Sequence, residues 1–162
     1  MGRRNRHSGR SPFDKVQPAW LNWVLTCFRA DCILTLGGGS ITDACKLSAL
    51  LLENLASPIK REDIPPLINP MNKTPPEHIK QPTFPMIFVP TTLSAGEYHS
   101  HAGCLDIEAR TKKQFSYPGM VPRWIICDAE LASRTPQWVW LSTGTPLSIS
   151  PRNACIASPN RV

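Results

Sequence analysis

The fourteen residues from Ile33 to Lys46 restrict what this chain can fold into more than any other stretch of its length. They run Ile33-Leu34-Thr35-Leu36, then Gly37-Gly38-Gly39-Ser40, then Ile41-Thr42-Asp43-Ala44-Cys45-Lys46: a short apolar run, a glycine turn with a hydroxyl, and a segment with helical periodicity. Glycine takes backbone conformations closed to other residues and lets a ligand approach the main chain. The N–H groups that open the following helix have no partner in their own turn and face an anion well. Strand, glycine turn and helix together outline a phosphate cradle, which points to nucleotide binding.

The surrounding pattern extends this unit. Trp20, Trp23, Val24, Cys27 and Phe28 recur at three- and four-residue intervals, which predicts a helix over 18–30. A buried strand follows over Cys32–Leu36, and the next helix starts at Ser40 or Thr42. Its apolar positions Ala44, Leu47, Leu50, Leu51 and Leu55 carry it to about Leu55, before Ser57-Pro58. From Pro58 to Pro85 the prolines are too frequent for regular structure beyond one short helix. Pro85-Met86-Ile87-Phe88-Val89-Pro90 reads as a second buried strand, leading into the small and hydroxyl-bearing loop Thr91-Thr92-Leu93-Ser94-Ala95-Gly96-Glu97. Further strands are expected near Ala102–Asp106 and Trp124–Cys127 with Thr111-Lys112-Lys113 between them, and a last short helix at Thr135-Pro136. Helices alternating with buried strands give an α/β unit with a mainly parallel sheet. Ligands of such sheets bind beyond the carboxyl ends of the strands, where the Gly37 turn and the Thr91 loop both fall.

Composition narrows the partners. The net charge of +6 comes mostly from Arg3, Arg4, Arg6 and Arg10, so it describes a basic tail over 1–13 and argues against nucleic acid as a partner. No apolar stretch is long enough to cross a bilayer. The expected compartment is the cytoplasm, although the arginine-rich, acid-free start with Ser8 and Ser11 also fits a mitochondrial transit peptide. Six cysteines without a CxxC pair read as buried thiols in a reducing compartment.

By itself the glycine turn fits neither common phosphate pattern. Thr42 stands where the dinucleotide fingerprint has its third glycine, and no Gly-Lys-Ser/Thr follows as in a P-loop. On residue chemistry alone Asp43 serves equally as a helix-capping acid, Thr91 and Thr92 as loop hydroxyls, and Lys112 and Lys113 as a solvated pair. His99-x-His101 would place two imidazoles on one side of a strand, a metal pair without a third ligand in register.

The longer pattern is more specific. Gly37-Gly38-Gly39-Ser40-Ile41-Thr42-Asp43-Ala44-Cys45-Lys46, then Pro90-Thr91-Thr92-Leu93-Ser94, then Ile126-Cys127-Asp128-Ala129-Glu130-Leu131 through Thr135-Pro136 and Leu141-Ser142-Thr143-Gly144, resembles the iron-containing alcohol dehydrogenase family over about 12–144. The Leu93-Ser94 variant looks most like its maleylacetate reductase branch. The resemblance implies an incomplete Rossmann-like domain over 14–144 that binds NAD or NADP. In such a domain Gly37, Gly38, Gly39 and Ser40 would line the pyrophosphate, with Asp43 close by. Thr91, Thr92 and Ser94 would reach the adenine or ribose side and the nicotinamide end, and one of Lys112 and Lys113 would sit near the nicotinamide ribose. In the intact family the reaction implied is hydride transfer on a small alcohol, aldehyde or enone-acid.

The resemblance stops at Gly144. Family members continue into a helical catalytic domain whose opening turn carries an Asp or Arg and then a His, part of the set that holds iron or zinc. Here Pro146 and Ser150 occupy those positions. The expectation is a chain truncated at both ends, with an aberrant disordered tail over 145–162, no catalytic residues and no metal ligands. A small-molecule substrate then enters only if a catalytic domain is restored. The alternative reading of the same residues is an inactive fragment with weak or no nucleotide binding.

Overall fold

The computed structural model describes residues 31–55, 63–71, 73–106 and 109–149; the helix expected over 18–30, the basic tail and most of the C-terminal tail lie outside them. Strand β1 (Ile33–Gly37) is built from apolar and β-branched residues and ends where Gly37 takes φ +155°, a conformation that side chains disfavour. A Cβ at Gly37 would also stand 2.9 Å from Ile41 Cγ1. Helix α1 (Gly39–Asn54) follows at once with Gly38 as its N-cap, and it closes where Leu55 turns to extended backbone. Strand β2 (Met86–Pro90) runs parallel to β1, with Ile33 opposite Met86 and Gly37 opposite Pro90. Strand β5 (Trp124–Ile125) completes a parallel sheet with β2 at its centre.

Between β2 and β5 lies an antiparallel pair, β3 (His101–Asp106) and β4 (Thr111–Ser116), in register His101 to Ser116 and Asp106 to Thr111. This corrects the expectation for Thr111–Lys113, which belong to a strand rather than to a link. It also moves β3 out of the parallel sheet. The strand was hidden because a hairpin needs one apolar face only. Phe115 is buried, while Thr111, Lys112 and Gln114 are exposed, so the segment reads as polar.

Helix α1 is the pillar of the molecule because it has two covered sides. Toward the sheet, Cys45 and Ala49 pack with Ile33, Met86 and Phe88. Toward the hairpin, Leu47, Leu50 and Leu51 pack with Leu67, Ala102, Phe115, Tyr117 and Met120. Each large aliphatic or aromatic side chain so buried contributes about 1.5–3 kcal/mol.

The proline-rich connection holds a 3-10 turn at Pro65–Leu67 and is pinned to the hairpin rather than free. Asn69 donates from its backbone to Gln114 O at 3.1 Å, accepts from Ser116 N at 2.9 Å and donates from Nδ2 to Ser116 O at 2.8 Å. The buried Tyr117 hydroxyl donates to Leu67 O at 2.8 Å.

After β5 a short helix, α2 (Ala129–Ser133), is capped by Asp128, whose Oδ1 accepts from Leu131 N at 2.9 Å. Helix α3 (Gln137–Ile149) begins near the expected Thr135-Pro136 but continues beyond residue 144, where the sequence expectation placed the end of the ordered domain. Pro146 removes one N–H from the ladder without ending the helix there.

The thiols do not share one environment as expected. Cys45 is buried and Cys104 half-buried, whereas Cys32 and Cys127 are exposed, and all four are free. The sheet is likewise one-sided among the described residues. One face lies under α1, and the other leaves Leu34 61%, Leu36 55%, Trp124 52% and Ile126 51% exposed. Parallel sheets normally cover both faces.

Candidate functional site

The carboxyl ends of β1, β2 and β5 place three loops side by side. The first is the glycine turn at the start of α1. No side chain caps this helix and its first turn holds no acid, so the positive end of its dipole carries no built-in anion. The backbone N–H groups of Gly39 and Ser40 belong to this turn, and the Ser40 side chain is exposed.

The second loop, 91–96, lies directly against the first. A Cβ on Gly38 would fall 2.8 Å from Thr92 Cγ2, and one on Gly39 would fall 2.7 Å from Ser94 Oγ. Gly96 returns the contact, its absent Cβ being 3.7 Å from Gly39 Cα. The close approach that these glycines permit is thus first of all that of the neighbouring loop. Thr92 and Ser94 stand beside the turn, and Thr92 Oγ1 donates to Ser94 Oγ at 3.4 Å. Thr91 is held by its backbone, donating to Gly37 O at 3.0 Å and accepting from Thr135 Oγ1 at 2.8 Å. Helix α3 braces the loop further, with Leu93 N donating to Thr143 Oγ1 at 3.2 Å.

The third loop follows β5. With loop 91–96 and helices α2 and α3 it encloses a cleft of about 230 Å³ whose walls include Pro90, Leu93, Ala95, Tyr98, Cys127 and Trp140. The Tyr98 hydroxyl lies 3.6 Å from Cys127 Sγ. That contact, followed by burial, pushes the phenol up to about 12.

Three of the sequence-named residues, Asp43, Lys112 and Lys113, are placed away from the glycine turn and loop 91–96. Asp43 neither caps α1 nor stands free beside the turn. It lies beyond the first turn, and its Oδ2 accepts from Gly103 N on β3 at 3.0 Å. Burial raises its pKa, opposed by the Gly103 N–H and by the charges of Lys46, Lys112 and His101. The two lysines separate as strand alternation requires. Lys112 lies across Gly103, so close that a Cβ there would stand 2.9 Å from Nζ, and its charge acts on Asp43. Lys113 lies opposite Cys104 on the face turned to the core.

His99 and His101 stack at 4.9 Å between ring centroids. Burial, then the neighbouring His99 and Lys46, lowers the His101 pKa. Among the described residues no group of three His, Cys, Asp or Glu converges on a point that could hold a metal ion, so the described residues do not fit the divalent metal that the resemblance implies.

Lys46 and Glu97 carry no role expected from sequence, yet both are buried beside the site. The signal was present for Lys46. It falls four residues after Thr42 and four before Leu50, on the stripe that α1 buries.

Three comparisons bear on this geometry. Residues 24–129 match the sequence pattern described as iron-containing alcohol dehydrogenase. Dehydrogenase FUM7 of Gibberella moniliformis is 37% identical over 119 residues, covering 72% of this chain and 28% of the relative. Two solved structures share the fold. Sulfoacetaldehyde reductase from Bifidobacterium kashiwanohense in complex with NAD+ has a TM-score of 0.65 at 22% identity, over 86% of this chain and 35% of the other. Maleylacetate reductase from Agrobacterium tumefaciens has a TM-score of 0.55 at 23% identity, over 80% and 28%. The chain therefore spans less than a third of the length of the curated relatives it matches.

Proposed function

The chain belongs to the iron-containing alcohol dehydrogenase family, and from that premise we propose that it is the nucleotide-binding portion of an oxidoreductase, taking NAD or NADP at the glycine turn. The observation that carries the reading is the uncapped, acid-free start of α1, with loop 91–96 lying against it. The backbone N–H groups of Gly38, Gly39 and Ser40 bind the pyrophosphate, where the helix dipole favours its negative charge. Thr92 and Ser94 supply hydroxyls from the facing loop to the parts of the dinucleotide on either side of the pyrophosphate. Lys112, rather than Lys113, supplies the positive charge, because it is the one that crosses Gly103 toward Asp43. Asp43 acts at one remove, fixing Gly103 and so the hairpin that carries Lys112.

The mostly apolar cleft between Leu93, Tyr98, Cys127 and Trp140 receives a ring of the dinucleotide. When bound, the cofactor supplies the hydride chemistry; this chain's own residues bind and orient it. Hydride transfer on a small alcohol, aldehyde or enone-acid then belongs to the longer architecture of the family.

The test is a titration of the purified chain with NADH and with NADPH, followed by nicotinamide fluorescence, with Gly38→Asp as control. Saturable binding that the variant loses supports the reading. Failure of the parent chain to bind either dinucleotide overturns it.

A further inference from the structure

The buried ammonium of Lys46 is not among the groups proposed to touch the dinucleotide. Its side chain is fully enclosed at 0% exposure, and Nζ donates to three backbone carbonyls: Gly96 O at 2.5 Å, His99 O at 2.6 Å and His101 O at 3.1 Å. An ammonium has three donors, so every one is used. The three acceptors span the end of loop 91–96, the 3-10 turn Gly96–Tyr98 and the first residue of β3. A single side chain of α1 therefore grips the segment that joins the loop to the hairpin.

Two further features show what the grip holds. Ala95, next to the carbonyl that Lys46 binds most closely, adopts φ +56°, a left-handed conformation that costs an alanine energy and that its surroundings must enforce. Asp43, one turn before Lys46 on the same helix, holds the other end of the strand entry through Gly103 N. Burial lowers the Lys46 pKa, while Asp43 and Glu97 oppose that fall. A buried charge is costly to keep unless its hydrogen bonds are complete, and here they are. A methionine of similar length would fill the same space without that cost, so filling the space does not explain the lysine.

We propose that Lys46 is the positioning residue of the dinucleotide site: its ammonium fixes the 95–101 segment to α1, and so sets Thr92 and Ser94 against the glycine turn at the start of the same helix. This inference rests on the binding role proposed above, and its test separates the two. In the Lys46→Met chain without ligand, amide hydrogen exchange should speed up in peptides covering 91–101 and stay unchanged in β1 and in the second half of α1. Affinity for NADH should fall at least about tenfold, the effect of one lost charge-assisted hydrogen bond. Affinity for inorganic pyrophosphate, which needs only the turn, should change by less than about threefold.

Unchanged exchange over 91–101, or an equal loss for NADH and pyrophosphate, overturns the inference. A parent chain that fails to bind NADH overturns the functional reading instead, and the exchange result still decides the clamp. If Lys46→Met does not melt cooperatively, the parent chain answers through its lysine ¹⁵N spectrum. An ammonium signal protected from solvent exchange supports the clamp, and no protected lysine overturns it.

Discussion

The contact between the glycine turn and loop 91–96 predicts a specific coupling between Gly39 and Ser94. Gly39→Ala suits a helix and its backbone is not left-handed there, so on propensity alone the change should stabilise slightly. The structure reverses the sign. The new methyl would stand 2.7 Å from Ser94 Oγ and 3.1 Å from Ser94 Cβ, well inside ordinary contact at roughly 3.5–4.0 Å. Rotating the hydroxyl away relieves the first clash and gives up only the long bond from Thr92 Oγ1. The contact with Cβ remains and must be met by a shift of the loop. Overpacking of this kind costs about 1–3 kcal/mol, and the lower half of that range applies because part of the clash is with a rotatable hydroxyl. Ser94→Gly removes both clashing atoms. In that background Gly39→Ala should therefore cost nothing or gain a few tenths of a kcal/mol. Urea unfolding followed by circular dichroism, for the parent, both single variants and the double variant, gives the coupling energy directly. The expected value is about 1–2 kcal/mol. Additive effects within about 0.5 kcal/mol would show that the two loops do not touch.

The two faces of the parallel sheet should respond unequally to truncation. Phe88→Ala, on the face under α1, should cost about 3–5 kcal/mol, and Leu34→Ala, on the open face, less than about 1 kcal/mol by the same unfolding assay; equal losses would mean that the second face is covered. Burial pushes the Cys45 thiol from 9.0 up to about 12, against the pull of Lys46. The folded chain thus keeps a proton that the unfolded chain releases, so this stability is complete below pH 9 and is lost as pH rises toward 12. The loss should reach about 2 kcal/mol by about pH 10.5 and be missing from Cys45→Ala, measured as the difference in urea midpoint between the two chains across that range.

What the sequence disclosed was what is local. Ile33 to Leu36 and Met86 to Val89 are short apolar runs bounded by glycine or proline, and both are strands. The stripe Leu47, Leu50, Leu51 marked one covered side of α1, and the glycine and threonine motifs fell at the strand ends where their loops lie. What stayed hidden depends on partners far along the chain. Gly38 and Gly39 read as space for a ligand, yet Thr92 and Ser94 occupy the positions their side chains would take. Asp43 read as a cap or a phosphate neighbour, and its bond goes to Gly103, sixty residues on. A lysine is by default solvated, and only the carbonyls of 96–101 make the burial of Lys46 tolerable. The strand at Thr111 was obscured by its outward Lys112 and Gln114, since an edge hairpin shows its apolar side at every second residue only.

Binding of the dinucleotide pyrophosphate at the start of α1 can be followed residue by residue through the backbone amide resonances of ¹⁵N-labelled chain during addition of NADH. Saturable shifts are expected at Gly38, Gly39 and Ser40 together with Thr92 to Ser94, and their loss in Gly38→Asp. Saturable shifts confined to other parts of the chain, with the amides of the glycine turn unmoved, would contradict it.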